Sequence, residues 1–277
     1  MVSHTHSAKA TAMSVPPGAS PRRLFIGCIA CIVILLLIVC IIRTAAATRK
    51  HRCVKDMVVL VNSFKESLGR KRCIDSLTQT GSYGRIVVVS GDEDEDVLQK
   101  KDAYWLLKVK HNSIDFTGII AAIEHSPLLQ SHIGHFDTFF YTHDTTEYGA
   151  EAWRRIAKKD MGITQPLILT APNMNMGIYK MTDLIHHRSS ILEQKSSDHP
   201  TTEERQRLKQ NAVANEGFLF RRLNCDKALC TYNVVCPHDT CRSIYPSGAC
   251  RIQEFYPEIE LTKFKANFIA KPSYALL

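Results

Sequence analysis

MVVLVNSFKESLGRKRCIDSLTQTGSYGRIVVVSG, residues 57–91, holds two short apolar runs with an amphipathic segment between them. Residues 57–61 (MVVLV) and 85–90 (RIVVVS) are β-branched, four to eight residues long, and closed by turn formers: Asn62-Ser63 after the first, Gly91 after the second. They read as buried strands. Between them Leu68, Cys73, Ile74 and Leu77 recur at helical spacing until Gly81 and Gly84 break the pattern. The segment is therefore strand–helix–strand. Its strands are apolar throughout rather than alternating, which points to a mostly parallel sheet covered by helices on both faces, an α/β fold.

The pattern continues outward. Residues 104–109 (YWLLKV) read as a third strand. Residues 115–126 read as a helix with Ile119, Ile120 and Ile123 on one face and Asp115 placed to cap it. Residues 136–142 (FDTFFYT) form an aromatic-rich strand ending at His143-Asp144, and 150–159 form a helix. Residues 167–171 form another buried strand, 178–192 run from strand into helix, and 202–222 are mostly helical. Residues 225–250 contain Cys225, Cys230, Cys236, Cys241 and Cys250 with little periodicity, a stapled loop region. Their spacing favours disulfides over structural zinc, whose knuckles are tighter. Seven cysteines follow residue 43. One is then left over, and Cys53 is placed to tether a disulfide-linked dimer.

Ahead of the domain, residues 24–42 (LFIGCIACIVILLLIVCII) carry no charge. As a helix they would reach roughly 28 Å, about one hydrocarbon core. The division expected is a disordered tail over 1–23, an anchor over 24–42, a stalk over 43–55 and a domain over 56–277. Ala45 and Ala47 resemble a cleavage site, but the run is long for a cleaved leader and Arg43 intervenes. The basic flanks slightly favour a cytosolic domain. Cysteine density favours an oxidising lumen and a type II signal-anchor. The net charge of +8 includes four basic and no acidic residues before residue 44, leaving 8 − 4 = +4 for the domain. No basic stripe with interleaved aromatics occurs, so nucleic acid is not the expected partner.

Ligands of open α/β sheets bind beyond the carboxyl ends of the strands. Asn62-Ser63, Asp92, His143-Asp144 and Asn173 to Gly177 all fall there. Asp144, delivered by a hydrophobic strand, suits Mg²⁺ or Mn²⁺, which take oxygen ligands and share them with diphosphates; its bland reading is a turn that caps the helix at 150. Asp92 opens an acidic run, Asp92-Glu-Asp-Glu-Asp96, that reads first as a solvated turn.

This order of elements resembles the small GT-A-type glycosyltransferases of the Golgi, with a type II anchor, a stalk and a nucleotide-sugar-binding domain. The resemblance implies that Asn62 and Ser63 touch the nucleotide and that Asn175 and Gly177 line the donor sugar; Asp92, at its own strand end, and Asp115, a helix cap or a nucleotide contact, are the further candidates beside them. It implies that Glu216 is the base that deprotonates a glycan or protein acceptor, and that His143, Asp144 and His238 hold Mn²⁺ or Mg²⁺. The chain departs from the family at its metal motif. Thr142 and Thr146 flank Asp144, so no Asp-x-Asp is present at that strand. A non-catalytic membrane-anchored binding or scaffold protein on the same fold is the alternative that this departure favours.

Overall fold

A computed structural model of the chain describes residues 32–41, 57–65, 67, 69–80, 85–159, 167–168, 175–214, 217–223, 227–228, 230, 234–236 and 250–266. Two compact units divide at Arg49 and Lys50. In the first, residues 32–41 are helical (α1), and their isoleucines, leucines and valines are exposed. Among the described residues no helix is long and apolar enough to cross a membrane. The rest of the 24–42 run, the tail, the stalk and Cys53 lie outside the described residues.

The second unit opens as the sequence implies, with β1 (Val58–Phe64), α2 (Arg70–Gln79) and β2 (Ile86–Gly91). Then come β3 (Val97–Lys100), β4 (Trp105–Lys108), a 3-10 turn (Ile114–Phe116), α3 (Thr117–Glu124) and α4 (Ser126–Ile133). β5 (Thr138–His143), β6 (Thr146–Tyr148), α5 (Ala152–Lys159), β7 (Leu167–Ile168) and β8 (Gly177–Lys180) follow. The remainder is α6 (Met181–His186), α7 (Arg188–Leu192), α8 (Thr202–Ala214), α9 (Phe218–Arg222), β9 (Lys227–Ala228), β10 (Val234–Cys236), β11 (Cys250–Tyr256) and β12 (Leu261–Ala266).

Eight strands make the main sheet, in the order β3-β4-β2-β1-β5-β8-β7-β9. The continuous apolar runs have a direct cause. Successive side chains of a strand point to opposite faces, and here each face carries its own core. Val58, Leu60, Val87 and Val89 pack with Ile119 and Ile120 of α3, Leu184 of α6 and Ile191 of α7. Val59, Val61, Ile86 and Val88 pack with Ile74 and Leu77 of α2 and Trp153 and Ile156 of α5. Burying each such aliphatic side chain contributes about 1.5–3 kcal/mol.

The sheet is mixed, and the parallel reading holds at its centre, β4-β2-β1-β5. β3 runs antiparallel to β4, and β8 antiparallel to β5. The reason for β3 is local. The chain reverses directly between Lys100 and Trp105, where Lys101 N donates to the Tyr104 carbonyl at 2.9 Å, and so short a link permits only antiparallel pairing.

A second, antiparallel sheet has the order β10-β11-β12-β6. β6 begins where the chain turns out of β5 at Asp144-Thr145, and β12 pairs with it, setting Lys263 opposite Thr146. Part of the expected stapled loop is thus strand. Cys230 is buried with a free thiol, so it takes no part in a disulfide set; the side chains of the other four cysteines there lie outside the described residues. Two helix caps are also corrected. Asp144 leads into β6 rather than α5, and Asp115 lies inside the 3-10 turn, whose N-cap position is Ser113.

Candidate functional site

The chain winds from β1 through β2 to β4 on one side, then returns to β5 on the other side of β1. Connections leave β1 and β5 in opposite directions, and such a switch point opens a crevice at the carboxyl ends of the strands. Asn62 and His143 face each other there as register partners, and Asp144 N donates to the Asn62 carbonyl at 3.0 Å. The crevice wall is close-packed. A Cβ on Gly118 of α3 would stand 2.8 Å from Tyr141 Cε2 and 3.3 Å from Asn62 Oδ1, so only glycine lets α3 approach β1 and β5 this closely.

Asp144 is buried. The Ser63 and Ser67 hydroxyls act on its carboxyl, while Oδ2 meets no donor. Burial raises the carboxyl above its ordinary range, against the pull of those two hydroxyls and of Arg70 and Lys263. Arg70, at the start of α2, ties the neighbouring strand ends together. Its Nε donates to Ser63 Oγ at 3.0 Å, and its Nη2 donates to Ser90 Oγ at 2.8 Å and to the Phe64 carbonyl.

His143 is also buried. Lys263 Nζ, on β12, lies 3.1 Å from His143 Nδ1 and 3.4 Å from Met176 Sδ. An ammonium has donors and no acceptor. His143 Nδ1 must then be the acceptor, and the neutral ring carries its hydrogen on Nε2. Burial first, and the Lys263 charge second, lower this imidazole to about 3. Asp115 completes the charged set. Burial would raise its carboxyl, but Lys209, 3.6 Å away, and Lys263 hold it below the usual range. The Asp115 carbonyl accepts from the Tyr141 hydroxyl at 2.7 Å.

The β5–β8 pairing ends with Tyr141 opposite Gly177, so His143 and Asn175 leave the sheet at the same end. Asn175 Oδ1 accepts from Leu219 N at 3.3 Å, and its carbonyl accepts from the Tyr179 hydroxyl at 2.8 Å. Its Nδ2 has no partner. Three of the four buried polar side-chain atoms without a partner among the described residues, His143 Nε2, Asp144 Oδ2 and Asn175 Nδ2, thus cluster at this end of the sheet.

The other sequence candidates take different places. Asn62 uses its whole amide inside the fold: Nδ2 donates to the Ile114 carbonyl at 2.9 Å and Oδ1 accepts from Gly118 N at 2.7 Å. Asp92 does not stand in a solvated turn. It holds a left-handed backbone (φ 63) and accepts from Arg205 of α8 at 2.7 Å. Glu216 and His238 lie outside the described residues. The sequence reading missed Arg70, Lys209 and Lys263. Arg70 could have been found as a cation at the start of the helix after a candidate ligand-binding strand end.

Among the described residues no three His, Cys, Asp or Glu side chains are placed to hold one metal ion. Comparison with protein families, with curated proteins and with solved structures finds none that matches this chain.

Proposed function

We propose that the chain is a membrane-anchored glycosyltransferase. It would bind a nucleotide-sugar donor over the carboxyl ends of β1 and β5 and pass the sugar to a glycan or protein acceptor. The observation that supports this best is the buried polar cluster at the topological switch point, with Ser63, His143, Asp144 and Asn175 converging from three strand ends. Such crevices take nucleotides. Asp144 Oδ2 offers an acceptor to a donor hydroxyl, and Asn175 and His143 offer N–H groups to anionic oxygens. Glu216 remains the proposed base, acting by taking the acceptor's proton. The uncharged run over 24–42 supports the anchor, and the domain is proposed to face the Golgi or endoplasmic reticulum lumen.

Mn²⁺ or Mg²⁺, when bound, neutralises charge on a departing diphosphate. Asp144 fits such an ion. His143 does not, because the lone pair on Nδ1 is engaged by Lys263 and Nε2 carries the hydrogen. No step here is therefore routed through the metal.

The test is thermal stability of the full chain, in detergent, with UDP, GDP or CMP, each with and without Mn²⁺. Ligand at about a hundred times its dissociation constant stabilises by roughly 2.7 kcal/mol, or about 5–11 °C for a domain of this size. One nucleotide should shift the transition and the others should not. No shift with any of them transfers weight to the scaffold reading. Slow hydrolysis of the matching nucleotide-sugar without acceptor would separate an enzyme from a binding protein.

A further inference from the structure

The polar atoms left open in the crevice are mostly donors. His143 presents Nε2–H, because its other nitrogen accepts from Lys263. Asn175 presents Nδ2, because only its oxygen can meet the Leu219 N–H. Both side chains are more than nine-tenths buried and, among the described residues, neither of these N–H groups meets an acceptor, an unfavourable state that an incoming acceptor relieves. Lys263 adds an ammonium that is itself buried at 6% exposure.

Among the described residues, Lys209 and Lys263 act on Asp115, and Arg70 and Lys263 act on Asp144, each favouring the carboxylate. A dication entering this set would meet one open carboxylate oxygen and the repulsion of a fixed ammonium. An anion would meet that ammonium and two open N–H donors. Hydrogen bonds from charged or desolvated donors to phosphate oxygens are among the strong ones, and a fixed cation at developing phosphate charge is also how electrostatic catalysis works.

We infer that the crevice binds the diphosphate of its ligand through the chain's own Lys263, His143 and Asn175, and that nucleotide binding needs no divalent ion. This rests on the nucleotide reading of the same site and refines it. Asp144 then serves as the hydroxyl acceptor beside the phosphate donors, so the preferred ligand carries both a diphosphate and a hydroxyl-rich group.

Calorimetric titration of the full chain in detergent with UDP, GDP, CMP and inorganic pyrophosphate, in EDTA and again in Mn²⁺, decides it. The expected result is affinity in EDTA within about twofold of that in Mn²⁺. Lys263→Met should weaken binding in EDTA at least tenfold, and Lys263→Arg should restore most of it. If Lys263→Met fails to fold, Asn175→Asp replaces it. That variant keeps the oxygen for Leu219 N, sets a carboxylate against the phosphate, and should also weaken binding at least tenfold. Binding that appears only with Mn²⁺ overturns the inference and leaves the nucleotide reading standing. Binding of pyrophosphate in EDTA without any nucleotide supports the anion site and overturns the nucleotide reading. Binding of none under either condition overturns both.

Discussion

Asn62→Ala tests whether the first strand end is built for the ligand or for the fold. The side chain joins β1 to the 3-10 turn and to α3, residues more than fifty positions away, through an N–H donated to the Ile114 carbonyl at 2.9 Å and an oxygen that accepts from Gly118 N at 2.7 Å. The two losses differ. The Ile114 carbonyl keeps Thr117, whose backbone N–H and hydroxyl both reach it, so only the net value of one hydrogen bond is lost, about 1 kcal/mol. Gly118 N–H sits in the first turn of α3, where helix donors have no internal partner, and is left bare at about 1–3 kcal/mol. Together the variant should lose about 2–4 kcal/mol, or roughly 4–16 °C in melting temperature. Urea denaturation should show a lower midpoint with an unchanged slope. Asn62→Asp keeps the oxygen for Gly118 N but turns a second carboxylate oxygen on the Ile114 carbonyl, so it should lose more than about 1 kcal/mol, the value of the Ile114 bond alone. An Asn62→Ala protein of wild-type stability that no longer binds nucleotide would refute this reasoning and return Asn62 to the ligand.

Other outcomes follow from the same geometry. Gly118→Ala should destabilise by about 1–3 kcal/mol in denaturant titration, because its Cβ would stand 2.8 Å from Tyr141 Cε2, although alanine is ordinarily the better helix former. Asp92→Ala should cost about 1–2 kcal/mol by the same assay through loss of its charged hydrogen bond to Arg205, and Asp92→Gly less, since glycine accepts the left-handed backbone at φ 63. His143 and His111 are lowered from 6.5 to about 3 and about 4 by burial first. Below pH 6.5 the unfolded chain therefore binds protons that the folded chain refuses, so stability should fall as pH drops through that window. His143→Gln should flatten this acid limb in a pH series of urea midpoints. Cys73, whose thiol burial raises to about 12, should resist iodoacetamide in the native protein and react once it is unfolded, as read by mass spectrometry.

The part of the fold with two buried faces was legible because Met57 to Val61 and Arg85 to Ser90 have no polar alternate positions to mislead. The same logic placed His143 and Asp144 at a strand end. What escaped has physical reasons. β3, over Val97–Lys100, is only four residues long, half polar and half-exposed at the sheet edge, so neither its burial nor its period signals a strand. β12 reads Leu261-Thr-Lys-Phe264, with no clean alternation, and a lysine ordinarily faces water; nothing local shows that Lys263 is buried against an imidazole far earlier in the chain. Asn62 looked like a ligand contact because a strand-end asparagine can serve a ligand or a neighbouring turn, and only the tertiary position of Ile114 and Gly118 decides which.

Lys263 follows His143 by 120 residues. At the usual synthesis rate of about 5–20 residues per second, that gap lasts roughly 6–24 s. During it the nascent chain holds His143 without Lys263 and β6 without β12. Until β12 is made, His143 Nδ1 has no Lys263 to accept from and β6 has no antiparallel partner, so the strand that completes the second sheet also delivers the ammonium to the imidazole.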